Sequence, residues 1–470
     1  MSIFHISAEC YPAAKVGGLA DVVGALPKYL TQAGYDSKVV MPAYDNKFTQ
    51  NQSFTRVHQG KARLGDFVFP YAVLKESTNK LGFELFVIAI PELFDRPEVY
   101  GYQDDTERFT TFQIAFLNWL IETNQRPHVL HCHDHHSGLI PFMVQNSFQY
   151  EPLKNIPTVL TIHNGQYQGW FKHDKIHYLP AFPSFKLGYL EWGHSINPLA
   201  SAIKCAWKVT TVSPSYLDEI SVKANGLEGL LRFERPKCVG ILNGIDKEVW
   251  NPATDEMLDF HYDNSNAYEG KSKNKAFLCA TFNLNPNLPL FVFIGRLVDE
   301  KGADILTEVF QKALTYYAGK INILVLGSGD TNVENGFKSL LHQFSGNYNA
   351  YIGYNEALAH KIYAGADFIL MPSRVEPCGL NQLYSMRYGT IPIVRRTGGL
   401  KDTVLDIGDG GWGFCHDNTD VEEMLHAIYR ASKLFEDVAT HHKIMQYIMQ
   451  KDHSWERVAQ EYINLYKSLQ

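Results

Sequence analysis

The chain has 470 residues, with 43 Lys and Arg against 50 Asp and Glu, a formal charge of −7, and 45% hydrophobic residues. That composition is globular and excludes disorder and collagen-like repeats. The mild acidity argues against a nucleic-acid or anionic-membrane partner, since either calls for a basic surface. At roughly 100–200 residues per domain, the length fits two large domains or three ordinary ones.

In chain order, short apolar runs at 3–6, 38–41, 85–90, 128–131, 158–162 and 208–212 predict strands, and so do runs at 290–294, 322–326, 368–371 and 391–394. Several are continuous and β-branched, which is the pattern of parallel strands buried on both faces. Between them lie segments of helical period. In 19–30 the apolar residues Leu19, Val22, Val23, Leu26 and Leu30 recur every three or four positions. Alternation of this kind predicts an α/β fold with crossover connections. The stretch 255–275 is polar and lacks a period, so a boundary is expected between about 243 and 288. Two domains follow, 1–242 and 243–451, with a helix at about 452–470 packing back on the first. Ligands are expected at the carboxyl ends of the strands and in the cleft between domains.

The seven cysteines are dispersed and contain no C-x-x-C, so a reducing compartment fits better than a disulfide framework. The opening run has no basic leader and no long apolar core, and no apolar run approaches a membrane span. A soluble, cytoplasmic protein is expected, with no membrane partner; the sequence leaves the oligomeric state open.

Six loops carry candidate chemistry. K-V-G-G-L-A-D at 15–21 follows a strand and opens a helix. Free N–H groups on Gly17 and Gly18 would face an anion there, beside Lys15, with Asp21 in the first turn. H-C-H-D-H-H-S-G at 131–138 ends a strand. Zinc is weighed for His133, Asp134, His135 and His136, but neighbours on a strand face opposite ways, and a hydroxyl-rich substrate suits the loop better. T-I-H-N-G at 161–165 places His163 at the next strand end. I-G-R-L-V-D-E-K-G sets Arg296 and Lys301 past a strand, where two cations can neutralise a diphosphate. M-P-S-R-V-E-P-C-G-L at 371–380 places Glu376 beside Gly379 and Leu380, and R-R-T-G-G-L at 395–400 repeats the strand–Gly-Gly–helix pattern. A carboxylate next to an anion site can stabilise positive charge on a sugar as its phosphate departs. No Asp-x-Asp occurs, so no metal or other cofactor is expected.

Together these segments resemble the bacterial glycogen synthase and plant starch synthase family, retaining glucosyltransferases of GT-B architecture. The matching pieces are A-E-C-Y-P-A-A-K-V-G-G-L-A-D-V, H-C-H-D, T-I-H-N, L-N-G-I-D, G-R-L-x-x-x-K-G and the long run from M-P-S-R-V-E-P-C-G-L to R-R-T-G-G-L-K-D-T-V, in family order along the chain. The resemblance implies two Rossmann-like doubly wound domains facing across a deep cleft. It implies ADP-glucose as donor, and glycogen or a malto-oligosaccharide as acceptor, extended at its non-reducing end. By the same resemblance, Lys15, Gly17 and Gly18 approach the donor, and Arg296 and Lys301 hold its diphosphate with help from Cys378, Gly379 and Leu380. Tyr354 stacks near adenine. Asn243 and His163 line the glucose pocket, with the His163 carbonyl near the anomeric centre. Glu376 stabilises the oxocarbenium-like transition state, and Asp21 and Asp134 are further cleft candidates.

The sequence departs from the family pattern in places: Asn381 stands where Thr is commoner, His135 where Trp is usual, and Glu300 where Gln is frequent. Competing readings are a GT-B transferase using a UDP- or GDP-sugar and a glucan-binding scaffold without turnover. A dinucleotide oxidoreductase is a third, and it lacks the G-x-G-x-x-G fingerprint.

Overall fold

The computed structural model describes residues 1–470 and divides into two compact units, Met1–Leu242 with Trp455–Gln470, and Asn243–Ser454. Both are Rossmann-like α/β units built on a mostly parallel sheet, the pair that defines GT-B architecture.

The large sheet of unit 1 holds nine strands, β1 Ser2–Ile6, β2 Asp36–Pro42, β3 Phe54–Leu64, β4 Phe67–Glu76, β5 Glu84–Ala89, β6 Val129–His133, β7 Thr158–Ile162, β8 Lys208–Thr211 and β9 Cys238–Gly240. Their order is β9-β8-β7-β6-β1-β2-β5-β4-β3. All neighbours are parallel except β5–β4 and β4–β3. The chain leaves β1 toward β2 on one side, and β6 lies on the other, so the carboxyl ends of β1 and β6 form the switch point where ligands bind in such sheets. The predicted strand at 128–131 is displaced: β6 begins at Val129 and runs on through His133. The β3–β4 hairpin was not expected. It alternates polar and apolar residues because it is an edge ribbon with one solvated face, and it turns at Gly65 in the left-handed region at φ +60°.

The helix Trp455–Lys467 belongs to unit 1. Trp455, Val458, Ala459, Tyr462, Ile463 and Tyr466 form its buried stripe. They pack on Ile3, Val22, Leu26, Tyr29, Leu30, Val129, Val159 and Ile241.

Unit 2 continues with β10 Leu290–Ile294, β11 Asn322–Gly327, β12 Tyr348–Ile352, β13 Phe368–Met371, β14 Ile391–Arg395 and β15 Phe414–His416. The order β12-β11-β10-β13-β14-β15 is wholly parallel, and its switch point lies between β10 and β13. The polar stretch 255–275 is not a linker. Residues Ala267–Thr281 are helical, with Lys271 and Lys275 buried on the inner face. The Lys271 ammonium donates to the carbonyls of Tyr363 and Ala364 and to Thr390, and Lys275 pairs with Asp367 at 2.6 Å. Lysines that satisfy buried carbonyls hide a packed helix behind a polar sequence.

No helix is long and apolar enough to cross a membrane.

Candidate active site

In unit 2, the loops leaving the switch-point strands β10 and β13 are stitched together. Arg374 N–H donates to the Glu300 carbonyl at 2.9 Å. Gly302, at φ +68°, lets the first loop close on the second: a Cβ there would stand 2.4 Å from the Pro372 carbonyl oxygen. This juxtaposition brings Lys301 onto Glu376. The ammonium lies 2.7 Å from both carboxylate oxygens, and Ser373 Oγ donates to Oε2 at 3.0 Å. Glu376 is only 6% exposed, so its charge is partnered on both oxygens where water hardly reaches.

The Glu376 backbone is fixed as well. Its carbonyl accepts the Gly399 N–H at 3.2 Å. A Cβ on Gly398, at φ +43°, would come within 2.0 Å of that carbonyl, so the second Gly-Gly turn is shaped to Glu376. Next to it, Gly379 sits at φ +75° and Leu380 precedes the helix Asn381–Arg387. No protein acceptor takes the N–H of Gly379 or Leu380. Cys378 is buried, which pushes its thiol up to about 12, and it bonds to the backbone of Asn243. It is therefore an inert, neutral side chain that ties Asn243 to the Glu376 loop. Arg296 is not brought to Glu376. Its side chain is 62% exposed and its guanidinium lies 3.4 Å from Glu300. Tyr354 follows β12, is 80% exposed, and donates to Glu356 at 3.3 Å.

In unit 1, the switch point is organised by a residue that the sequence reading left out. Glu9, buried just after β1, accepts the N–H groups of Val16 at 2.6 Å and Gly17 at 2.9 Å, while Tyr100 donates to its other oxygen at 2.7 Å. The expectation that Gly17 offers a free N–H to an anion is thus corrected: an internal carboxylate already takes it. A lone Glu just after a strand, six residues ahead of K-V-G-G, was the available signal. Gly18 is the first residue of the helix Gly18–Gln32, and Asp21 in its first turn pairs with Lys15 at 2.7 Å.

Asp134 follows β6 with a positive φ of 55°. Its Oδ1 accepts the backbone N–H of His163 at 2.7 Å, which joins the two strand ends. The His163 ring is buried against His133, 2.9 Å away. The weighed zinc set does not converge: His135 and His136 lie together with ring centroids 3.7 Å apart, while Asp134 and His133 turn to His163.

Burial holds the Asp134 carboxyl up at about 7 from an ordinary 3.8, against the lowering effect of the His163 and Asn164 N–H groups. The folded chain therefore keeps a proton there that the unfolded chain releases near pH 4. Stability from this group is full below about pH 4 and is lost as pH rises through about 7. Buried His5 and His163, held down at about 3, act oppositely: their contribution is full above 6.5 and is lost on acidification. Asp134→Asn removes only the first effect. Urea melts between about pH 7 and 4 are expected to show a steeper acid loss in the variant, by up to about 1.4 kcal/mol per pH unit. Equal slopes would refute the assignment.

Residues 2–233 match the family described as starch synthase catalytic domain, and residues 276–448 match glycosyl transferases group 1. A glycogen synthase of Flavobacterium johnsoniae is 59% identical over 466 residues, covering 99% of this chain and 98% of that protein. The chain belongs to the glycogen and starch synthase family. It is an enzyme of that family, a glucosyltransferase that elongates a glucan. A more distant family member, the glycogen synthase of Bacillus cereus, is 38% identical over the whole of both chains. Among solved structures, the catalytic domain of starch synthase IV from Arabidopsis thaliana, bound to ADP and acarbose, superposes with a TM-score of 0.88 at 30% identity. It covers 100% of this chain and 99% of its own.

Proposed function

We propose that the chain transfers glucose from ADP-glucose to the non-reducing end of an α-1,4-glucan, with the anomeric configuration retained and without a bound metal. One observation carries this reading: at the switch point of unit 2, a buried carboxylate is held by a lysine beside two N–H groups that lack a protein acceptor. Such a cluster suits a departing sugar diphosphate. Lys301 and the Gly379 and Leu380 N–H groups neutralise the leaving phosphates, with the exposed Arg296 as a second cation, which is the task a metal would otherwise perform. Glu376 supplies negative charge to the oxocarbenium-like sugar. Tyr354 offers an exposed ring to the base. A relative solved with ADP supports the nucleotide.

For the chemistry, departure and attack on one face of the sugar fit best, with the leaving phosphate accepting the acceptor hydroxyl proton. Only one carboxylate, Glu376, stands in the unit 2 cluster, and double displacement requires a second carboxyl group about 5 Å away. Asp134, Asp21 and His163 then serve the sugars.

The test is transfer of radiolabelled glucose from ADP-, UDP- and GDP-glucose to glycogen, with and without chelator. Transfer from ADP-glucose that survives chelation is expected. Exclusive use of UDP- or GDP-glucose would overturn the donor assignment, and loss of activity on chelation would overturn metal independence. A covalent glucosyl-enzyme trapped on a carboxylate would overturn the one-face mechanism.

A further inference from the structure

A stripe of buried histidines crosses the middle of unit 1. Alternation along a strand puts His131 and His133 of β6 on one face, and the register sets His5 of β1 opposite His131 and Thr161 of β7 opposite His133. One branch is closed: His131 bonds Tyr466 Oη at 2.7 Å and Thr161 Oγ1 at 2.6 Å, and Thr161 bonds Thr210 at 2.6 Å. The other branch is an open row of three rings. His5 Nδ1 meets His133 Nε2 at 3.1 Å, and His133 Nδ1 meets His163 Nε2 at 2.9 Å. At the inner end, His5 Nε2 is buried and has no partner.

His5, His131 and His133 bring ring nitrogens within 4.8 Å of one another, which raises the question of a metal ion. The arrangement argues against one. His131 and His133 stack with centroids 4.3 Å apart, so their lone pairs lie in nearly parallel planes, and every nitrogen except His5 Nε2 already has a hydrogen-bond partner.

The row has a direction. Burial keeps all three rings neutral, so each carries one proton. Two arrangements then satisfy both links. In one, each ring is protonated on Nε2, and His5 Nε2–H is left buried without an acceptor. In the other, each ring is protonated on Nδ1: His5 donates to His133, His133 donates to His163, and only a lone pair is left at His5 Nε2. Orphaned buried N–H groups are the rarer and costlier defect in folded proteins. The second arrangement is therefore favoured, and it leaves the proton of His163 on Nδ1, at the outer end of the row.

We propose that His5 and His133 are positioning residues whose hydrogen bonds fix His163 as the Nδ1–H tautomer, so that its ring donates a hydrogen bond to an oxygen of the sugar donor. The sugar rests on the function proposed above; the tautomer does not. The row behaves as a one-way relay, in which a defect buried two rings away decides what His163 offers a ligand.

The test is a long-range proton–nitrogen correlation spectrum of the full chain labelled with 15N-histidine, without substrate, with His163 assigned by the signals lost in His163→Gln. Expected is a protonated Nδ1 and a bare Nε2 on His163; the reverse overturns the proposal. His133→Asp replaces the donor to His163 by an acceptor. It is expected to move the His163 proton to Nε2 and to lower kcat about tenfold or more with KM little changed. His133→Asn, which keeps an N–H donor near the same place, is expected to retain both the tautomer and most of the activity. A flipped tautomer with unchanged kcat overturns the functional half. If His133→Asp fails to fold, the wild-type spectrum still decides the tautomer. If no nucleotide sugar supports transfer while Nδ1–H is seen, the relay stands and the function it was assigned falls.

Discussion

Glu376→Gln is expected to lower glucose transfer by about two to three orders of magnitude while leaving the fold intact. Glutamine preserves the volume and can still accept the Ser373 hydroxyl, which lies 3.0 Å from Oε2 in the native site. What it removes is the negative charge. The ammonium of Lys301, now 2.7 Å from both carboxylate oxygens, would then face a neutral amide, and the transition-state sugar would lose its counter-charge. Because that charge matters most when positive charge develops, kcat should fall more than the donor KM rises. Lys301→Ala should do the opposite, raising the donor KM strongly because the diphosphate loses its principal cation. Steady-state kinetics on ADP-glucose, with melting curves as a control, would check both. A Glu376→Gln enzyme within tenfold of wild type would remove Glu376 from the chemistry.

The largest effect on stability is expected from the helix Trp455–Lys467. Trp455 is buried in the unit 1 core, and Trp455→Ala should cost about 3–5 kcal/mol. Deleting Trp455–Gln470 should do more, since it bares Ile3, Val22, Leu26, Val129 and Val159 together and takes from His131 its Tyr466 partner. Hydrogen exchange is the suitable readout. Amides of β1, β6 and β7 should lose protection, while those of β10 and β13 should keep it, because the helix belongs to unit 1 alone. Uniform loss across both sheets, or none, would contradict this division.

The parallel strands were legible because strands buried on both faces must be continuously apolar: 290–294 and 368–371 read directly from the chain. Loops such as 371–380 were legible because glycines and prolines at a strand end leave few alternatives. The β3–β4 ribbon escaped, since its solvated face carries Arg56, Gln59, Lys61 and Arg63 in a run that looks like a surface loop. The helix with Lys271 and Lys275 escaped for the opposite reason, as polar residues buried by pairing give no apolar period. Glu9 and His5 were the more telling losses. His5 matters through His133, and Glu9 in part through Tyr100, partners distant in sequence of which a single chain carries no local trace. The exposed position of Arg296, on Glu300 rather than near Glu376, was likewise beyond what spacing could tell.

Unit 2 is one uninterrupted length of chain, whereas unit 1 is closed by a helix that follows unit 2. On a ribosome, then, the sheet of unit 1 is made first, but its core is closed last. While residues 243–454 are being added, at about 5–20 residues per second, the groove lined by Ile3, Val22, Leu26 and Val129 waits without its cover for on the order of tens of seconds. The order of synthesis thus makes unit 1 the part that needs shelter in the nascent chain, and any stalling of translation within unit 2 prolongs that need.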